Sequence, residues 1–183
     1  MIRTVQTEII TETIKKMCIE ANYSLSSDMV KAMRKAEEKE ESVLGKQILA
    51  QLQDNLEIAA SDMIPICQDT GMAVVFLEVG QDVHFEGGSF EDAVNEGVRR
   101  GYTEGFLRKS VVGDPILREN TKDNTPAVIH TRIVEGDRVK ITVAPKGFGS
   151  ENMSQIRMFK PSHGLQGIKD FILEVVETAG PNP

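Results

Sequence analysis

A cysteine in a short turn is the residue of this sequence best suited to chemistry. It lies within Pro65-Ile66-Cys67-Gln68-Asp69-Thr70-Gly71, where a proline and a glycine bound the turn. Such a turn can fix the direction of the Cys67 sulfur, and Gln68 and Asp69 add an amide and a carboxylate beside it. The same pattern fits a small apolar cysteine buried in a turn, with Asp69 bonded to local N–H groups. The residues alone leave both interpretations open.

Basic residues after a predicted helix form a second candidate site. Arg108 could bind a substrate carboxylate through two parallel hydrogen bonds, and Lys109 follows it directly. Alternatively, both cations complement the negative end of the helix dipole. The polar run over residues 120–125 could contribute to the same site or form a self-bonded turn before a strand.

A glycine-containing loop over residues 145–152 follows a predicted strand. Gly147 and Gly149 would let backbone N–H groups approach an anion, and Ser150 and Asn152 add side-chain donors. The loop is not a P-loop, because the spacing and the Lys-Ser/Thr ending are absent. A short glycine loop is therefore weak support for an anion site.

The other cysteine and the histidines show no metal-ligand spacing. Cys18 lies on the apolar face of a predicted helix, where we expect it in the core. His84, His130 and His163 are dispersed along the chain, which argues against a zinc enzyme.

The composition restricts the class of protein. The chain has 183 residues, of which 40% are hydrophobic and 27% charged, as in a soluble globular domain. With 21 basic and 28 acidic side chains the net charge is −7, which disfavours non-specific nucleic-acid binding. No apolar run approaches the roughly 20 residues that span a bilayer, and the start lacks the order of a secretion signal. Two cysteines cannot form a disulfide framework, so we expect a cytoplasmic protein.

The elements that must position these residues are read from hydrophobic periodicity. The first 64 residues show helical spacing throughout, which predicts helices over residues 9–21, 29–36 and 44–59. Beyond them we predict strands over residues 72–79, 127–134 and 138–144, and helices over residues 90–107 and 164–178. The predicted fold class is α+β. A helical N-terminal subdomain, residues 1–64, precedes a mixed sheet-and-helix body, residues 65–183, in one continuous domain.

Two local patterns add detail to this fold. Glu135-Gly136-Asp137 is predicted to join the last two strands as a hairpin loop. Gly97, Gly101 and Gly105 recur on one helical face, which favours close backbone packing over ligand approach.

Four motifs in register resemble a known family. They are Pro65–Gly71, the run Asn120–His130, the loop Pro145–Asn152 and the closing Ala179–Pro183. In this order they resemble the α subunit, or N-terminal region, of class I fumarases and L-tartrate dehydratases, which are iron–sulfur hydro-lyases. The resemblance covers essentially the whole chain.

The resemblance implies a [4Fe–4S] cluster held by three cysteines, with one iron open to the substrate. Cys67 matches the first of the three metal ligands. In this family the second cysteine follows the Gly-Pro-Asn-Pro motif at once, whereas this sequence reaches Pro183 there. The resemblance therefore implies a chain truncated before the second ligand, which alone would hold no stable cluster and would be inactive.

The resemblance also implies roles for the polar residues. Asp69 is expected to be catalytic, Gln68 to contact the substrate and Arg108 to clamp a carboxylate. Gly147 and Gly149 belong to the loop whose backbone borders the substrate. The expected partners are a β subunit or C-terminal domain, which carries the catalytic base, and a dicarboxylate, within an oligomer.

The function that the resemblance implies is hydration of fumarate to L-malate. An L-tartrate dehydratase α subunit is an alternative with the same chemistry. A non-catalytic binding or regulatory subunit with the same fold is an alternative from another class.

Overall fold

The computed structural model describes residues 2–149 and 153–180, which form two compact units that divide after Lys146. The first unit contains strands β1 (Arg3–Gln6), β2 (Met72–Gly80), β3 (Val83–Glu86), β4 (Val128–Val134) and β5 (Val139–Lys146). Its helices are α1 (Thr7–Tyr23), α2 (Ser27–Lys39), α3 (Val43–Asp62) and α4 (Phe90–Glu104). The second unit contains a short 3-10 turn (Pro161–His163) and helix α5 (Gly164–Ala179). The α+β class and the N-terminal helices are confirmed.

The central sheet has the strand order β4-β2-β5, which differs from the predicted hairpin. β2 pairs in parallel with β4 and antiparallel with β5, so β4 and β5 do not pair with each other. The hairpin prediction is therefore wrong. Four residues separate β4 from β5, and they suffice to span the roughly 10 Å of two strand spacings.

The turn between β4 and β5 lies against the end of β2. The Gly80 N–H donates to the Arg138 carbonyl at 2.7 Å, and the Asp82 N–H donates to the Gly136 carbonyl at 2.9 Å. A Cβ on Gly80 would lie only 2.4 Å from that Gly136 oxygen, so this crossing requires glycine.

A second, two-stranded sheet was not predicted. β1 pairs in parallel with β3, so the first 64 residues are not helical throughout. Each of these strands has four residues, which is too short for an alternating pattern to be recognised beside the helical signal of α1.

The core of the first unit lies between the central sheet and the pair α1 and α4. β2 turns alternate residues inward, and these pack with apolar residues of α1 and α4. The buried side chains of this core include Ala73, Val75, Leu77, Val79, Ile10, Ile14, Cys18, Val94, Val98 and Tyr102.

The glycines of α4 bring its backbone close to α1, as the sequence predicts. A Cβ on Gly97 would lie 2.7 Å from the Thr11 carbonyl oxygen, and one on Gly101 would lie 2.8 Å from the Cys18 Cβ. Both distances are shorter than van der Waals contact, so a larger residue would force the helices apart.

α2 packs against α3. Within α5 and its approach, the Arg157 guanidinium binds the Glu174 carboxylate through two hydrogen bonds of 2.8 and 2.7 Å. Among residues 2–149 and 153–180, no helix has both the length and the apolar character that crossing a bilayer requires.

We expect Gly97→Ala to lower the free energy of unfolding by about 2 kcal/mol, because the new Cβ would meet backbone rather than a movable side chain. Gly45→Ala in α3 is the matched control. Its Cβ would meet only the flexible end of Glu40, so the gain in helix propensity should leave stability equal or up to about 1 kcal/mol higher. Urea denaturation measures both, and equal stabilities for the two variants would contradict the close packing.

Candidate functional site

The Cys67 turn is anchored to two helices. The Ile66 N–H donates to the Asn22 carbonyl at the end of α1, at 2.9 Å. The Asn55 amide of α3 donates to the Ile66 carbonyl, also at 2.9 Å. The Cys67 side chain is exposed, and its sulfur lies 3.7 Å from the Asp69 carbonyl oxygen. The alternative of a small buried cysteine is therefore wrong.

A cavity of about 490 Å³ opens beside this turn. It brings together Cys67, Gln68 and Arg108, three of the residues singled out from the sequence, although Arg108 is distant from the other two along the chain. Residues that carry a thiol, an amide and a guanidinium thus line one cavity. The complete lining consists of Pro65, Ile66, Cys67, Gln68, Thr70, Phe106 and Arg108.

Two hydrogen bonds that the sequence did not reveal hold Arg108 next to the turn. The Thr70 hydroxyl donates to the Arg108 carbonyl at 2.8 Å. The Tyr102 hydroxyl, fully buried in α4, donates to the Thr70 carbonyl at 2.8 Å. Tyr102 falls within the helix predicted over residues 90–107, but helical periodicity does not show where its hydroxyl points.

Asn124 also joins the segment after Cys67 to the segment after α4. Its side-chain oxygen accepts from the N–H groups of Ser110 at 2.7 Å and Val111 at 3.2 Å. Its amide nitrogen donates to the Gly71 carbonyl at 2.9 Å. The side chain is fully buried, and the backbone is left-handed with φ 62°, a conformation that asparagine tolerates. Asn124 therefore braces the cavity wall.

The rest of the polar run over residues 120–125 combines hydrogen bonds within the turn with bonds to the segment after α4. The Asn120 side-chain oxygen accepts from the Lys122 N–H at 2.6 Å, and the Asp123 carboxylate accepts from the Thr125 N–H at 3.0 Å. The turn interpretation is thus correct only in part, because the Asn120 amide also donates to the Lys109 carbonyl at 2.9 Å and Asn124 binds distant segments.

The two cations after α4 have different positions. The Lys109 ammonium donates to the Tyr102 carbonyl in the last turn of α4, at 3.2 Å, as the helix-dipole interpretation expects. Arg108 lines the cavity, where a carboxylate could reach it.

The remaining predicted residues lie outside this lining. Asp69 is exposed on the same turn. Gly147 and Gly149 belong to the second unit, directly after β5, and their contact with a substrate stays a prediction. Ser150, Asn152 and the closing residues 181–183 lie outside the described residues.

Cys67 suits one thiolate ligand of an iron–sulfur cluster, because its sulfur is accessible beside a cavity. Cys18 does not suit a second thiolate ligand, because it is fully buried and burial raises the pKa of its thiol to about 12. Over residues 2–149 and 153–180 no group of three His, Cys, Asp or Glu side chains could hold a metal ion. The chain has two cysteines in all, and Cys67 is the one whose exposure suits metal ligation.

Native protein treated with iodoacetamide near pH 8 should take up one equivalent, at Cys67. Cys18 should not react, because it is buried and its pKa of about 12 leaves almost no thiolate. Mass spectrometry of the wild type and of Cys67→Ser measures this. Cys67→Ser should gain no label when native and one label in denaturant, and two labels on native wild-type protein would contradict the burial of Cys18.

Asn124→Ala should lower the free energy of unfolding by about 3 kcal/mol, because two N–H groups and one carbonyl lose their buried partner. Asn120→Ala is the matched control, since it removes an exposed amide with similar bonds and should cost less than about 1 kcal/mol. Both are measured by denaturant titration. A difference below about 0.5 kcal/mol would show that Asn124 does not brace the cavity.

Comparison with known proteins supports the family resemblance. A provisionally named L(+)-tartrate dehydratase subunit alpha of Methanocaldococcus jannaschii is 37% identical over 180 residues, which are 95% of this chain and 63% of that protein. The anaerobic class I fumarate hydratase of Escherichia coli is 36% identical over 138 residues, 74% of this chain and 25% of that protein. The L(+)-tartrate dehydratase subunit alpha of Escherichia coli is 25% identical over 176 residues, 94% of this chain and 58% of that protein.

The chain thus spans between a quarter and just under two thirds of the length of these relatives. The sequence profile of the fumarate hydratase (Fumerase) family matches residues 11–183. The match includes the Cys67 turn and Arg108, which line the cavity, and Asn124, which binds the segments beside it. The chain belongs to the fumarate hydratase (Fumerase) family.

Proposed function

We propose that this chain forms the Cys67-bearing part of an iron–sulfur hydro-lyase that adds water reversibly to fumarate to give L-malate. Family membership supports the class of reaction. The observation that carries the proposal is the cavity in which Cys67, Gln68 and Arg108 meet. It combines a metal-ligating thiol with groups that bind a carboxylate.

Cys67 is the residue of this chain that would hold the [4Fe–4S] cluster. Its turn is fixed by Asn22 and Asn55, so the sulfur is directed before any metal binds. The bound cluster would supply a Lewis acid for the substrate hydroxyl. The other thiolates would come from the segment that follows the Gly-Pro-Asn-Pro motif in this family, because Cys18, the other cysteine of this chain, is buried.

Arg108 and Gln68 bind and orient the substrate in this proposal. The Arg108 guanidinium can bind one carboxylate through two parallel hydrogen bonds, and Gln68 adds a neutral amide beside it. The net charge of −7 does not attract dianions, so the local guanidinium must provide the affinity. Asp69 is the catalytic carboxylate in this scheme, and the backbone of Gly147 and Gly149 borders the substrate.

L-tartrate is the alternative substrate. Relatives named as tartrate dehydratase subunits align with nearly the whole chain, which supports it. The two reactions share the removal or addition of water next to a carboxylate. A cytoplasmic location, which keeps thiolates reduced, suits either substrate, and both cysteines of the chain are free.

The decisive experiment combines this chain with a segment carrying the other cluster cysteines, under anaerobic reconstitution with iron and sulfide. We expect about four irons per complex and hydration of fumarate, whereas this chain alone should hold no such cluster. The ratio of kcat/KM for malate and for tartrate identifies the substrate.

Cys67→Ser in this complex should lose most of the iron and lower turnover at least about 1000-fold, since one cluster ligand is gone. Cys18→Ala, which removes the buried sulfur, is the matched control and should keep both the iron content and the turnover. Arg108→Lys should keep the iron and raise KM about tenfold or more, because an ammonium cannot form the two parallel bonds. Four irons and wild-type turnover in Cys67→Ser would refute the proposal.

A further inference from the structure

We propose that Phe106 is a substrate-contacting residue, which forms the apolar wall of the Cys67 cavity and is held there at a cost in stability. This inference rests on the proposed function and deepens it by adding a binding residue. Phe106 lines the cavity together with Cys67, Gln68 and Arg108. Its conformation is unusual for a bulky side chain.

Phe106 occupies a position that normally requires glycine. Helix α4 ends in a Schellman motif, in which the Leu107 N–H donates to the Tyr102 carbonyl at 3.1 Å and the Phe106 N–H donates to the Thr103 carbonyl at 3.3 Å. In this motif the residue that follows the C-cap has a left-handed backbone, and here that residue is Phe106, with φ 51°. Glycine adopts this backbone without strain, whereas an aromatic residue does not.

Packing does not explain why phenylalanine stands at this position. The Phe106 side chain is 86% exposed, so its ring contributes little to the core. The neighbouring Leu107 is buried and closes the motif against the protein. An exposed aromatic ring on a strained backbone therefore disfavours folding twice, which indicates that the ring serves the cavity.

The ring has a clear chemical use beside Arg108. A C4 dicarboxylate has two charged ends and a hydrocarbon centre, so a site for it needs both cations and an apolar surface. The Phe106 ring can contact the hydrocarbon centre and displace water from the cavity. With less water present, the attraction between Arg108 and a carboxylate becomes stronger.

The test uses three variants of the complete complex. Phe106→Gly should raise KM for fumarate and the inhibition constant of succinate about tenfold, because the apolar contact is lost. It should also raise Tm by about 2 °C, because the strain is relieved. Phe106→Ala should raise KM similarly without the gain in Tm, since alanine keeps the strain. Phe106→Leu should keep KM within about threefold, because it retains an apolar side chain.

Met63→Gly is the matched control. Met63 is also an exposed, left-handed residue (φ 55°) after a helix, and the Ile64 N–H donates to the Ala59 carbonyl in the same pattern. It lies outside the lining of the cavity. Its replacement should raise Tm by about 2 °C and leave KM and the succinate constant unchanged.

The outcomes separate this inference from the proposed function. A wild-type complex that neither hydrates fumarate nor binds succinate overturns the proposed function and this inference with it. A wild-type complex that does both, with unchanged KM and succinate constant in Phe106→Gly, overturns this inference alone. A lower Tm in Phe106→Gly beside a higher Tm in Met63→Gly also overturns it, because the ring would then stabilise the fold.

Discussion

The close approach of α1 and α4 determines where the residues around the cavity lie. The last turn of α1 holds both walls, because the Asn22 carbonyl accepts from the Cys67 turn and the Tyr23 hydroxyl donates to the Gly105 carbonyl at 2.7 Å. Tyr102 of α4 then reaches Thr70. If the helices moved apart, these bonds would break together and the thiol and the guanidinium would separate. The glycines of α4, which allow this close approach, are thus required for the geometry of the site.

The site is organised by hydrogen bonds of the protein itself. Thr70 and Asn124 connect the segment after Cys67 with the segment after α4, and Asn55 fixes the turn from the side of α3. Sites built only by their metal lack such connections before the metal binds. The turn that presents Cys67 is therefore a property of the folded chain, to which the cluster of the proposed function would be added.

The sequence predicted the parts of this fold that depend on local patterns. Long helices and the apolar strand β2 follow from periodicity, and the Cys67 turn follows from its proline and glycine. Strands β1 and β3 were missed because four residues carry too little pattern. The roles of Tyr102, Thr70 and Asn124 were missed because each depends on a partner distant along the chain. The position of β2 between β4 and β5 was missed for the same reason.

The strand order of the central sheet also affects how the chain folds. β2 precedes both of its neighbours, and these are joined to each other by a four-residue turn across its end. No local hairpin can nucleate this sheet, so its formation depends on contacts between residues far apart in the chain. During synthesis β2 leaves the ribosome before any partner strand exists. Its two edges find their partners only when the segment around residues 128–146 has emerged.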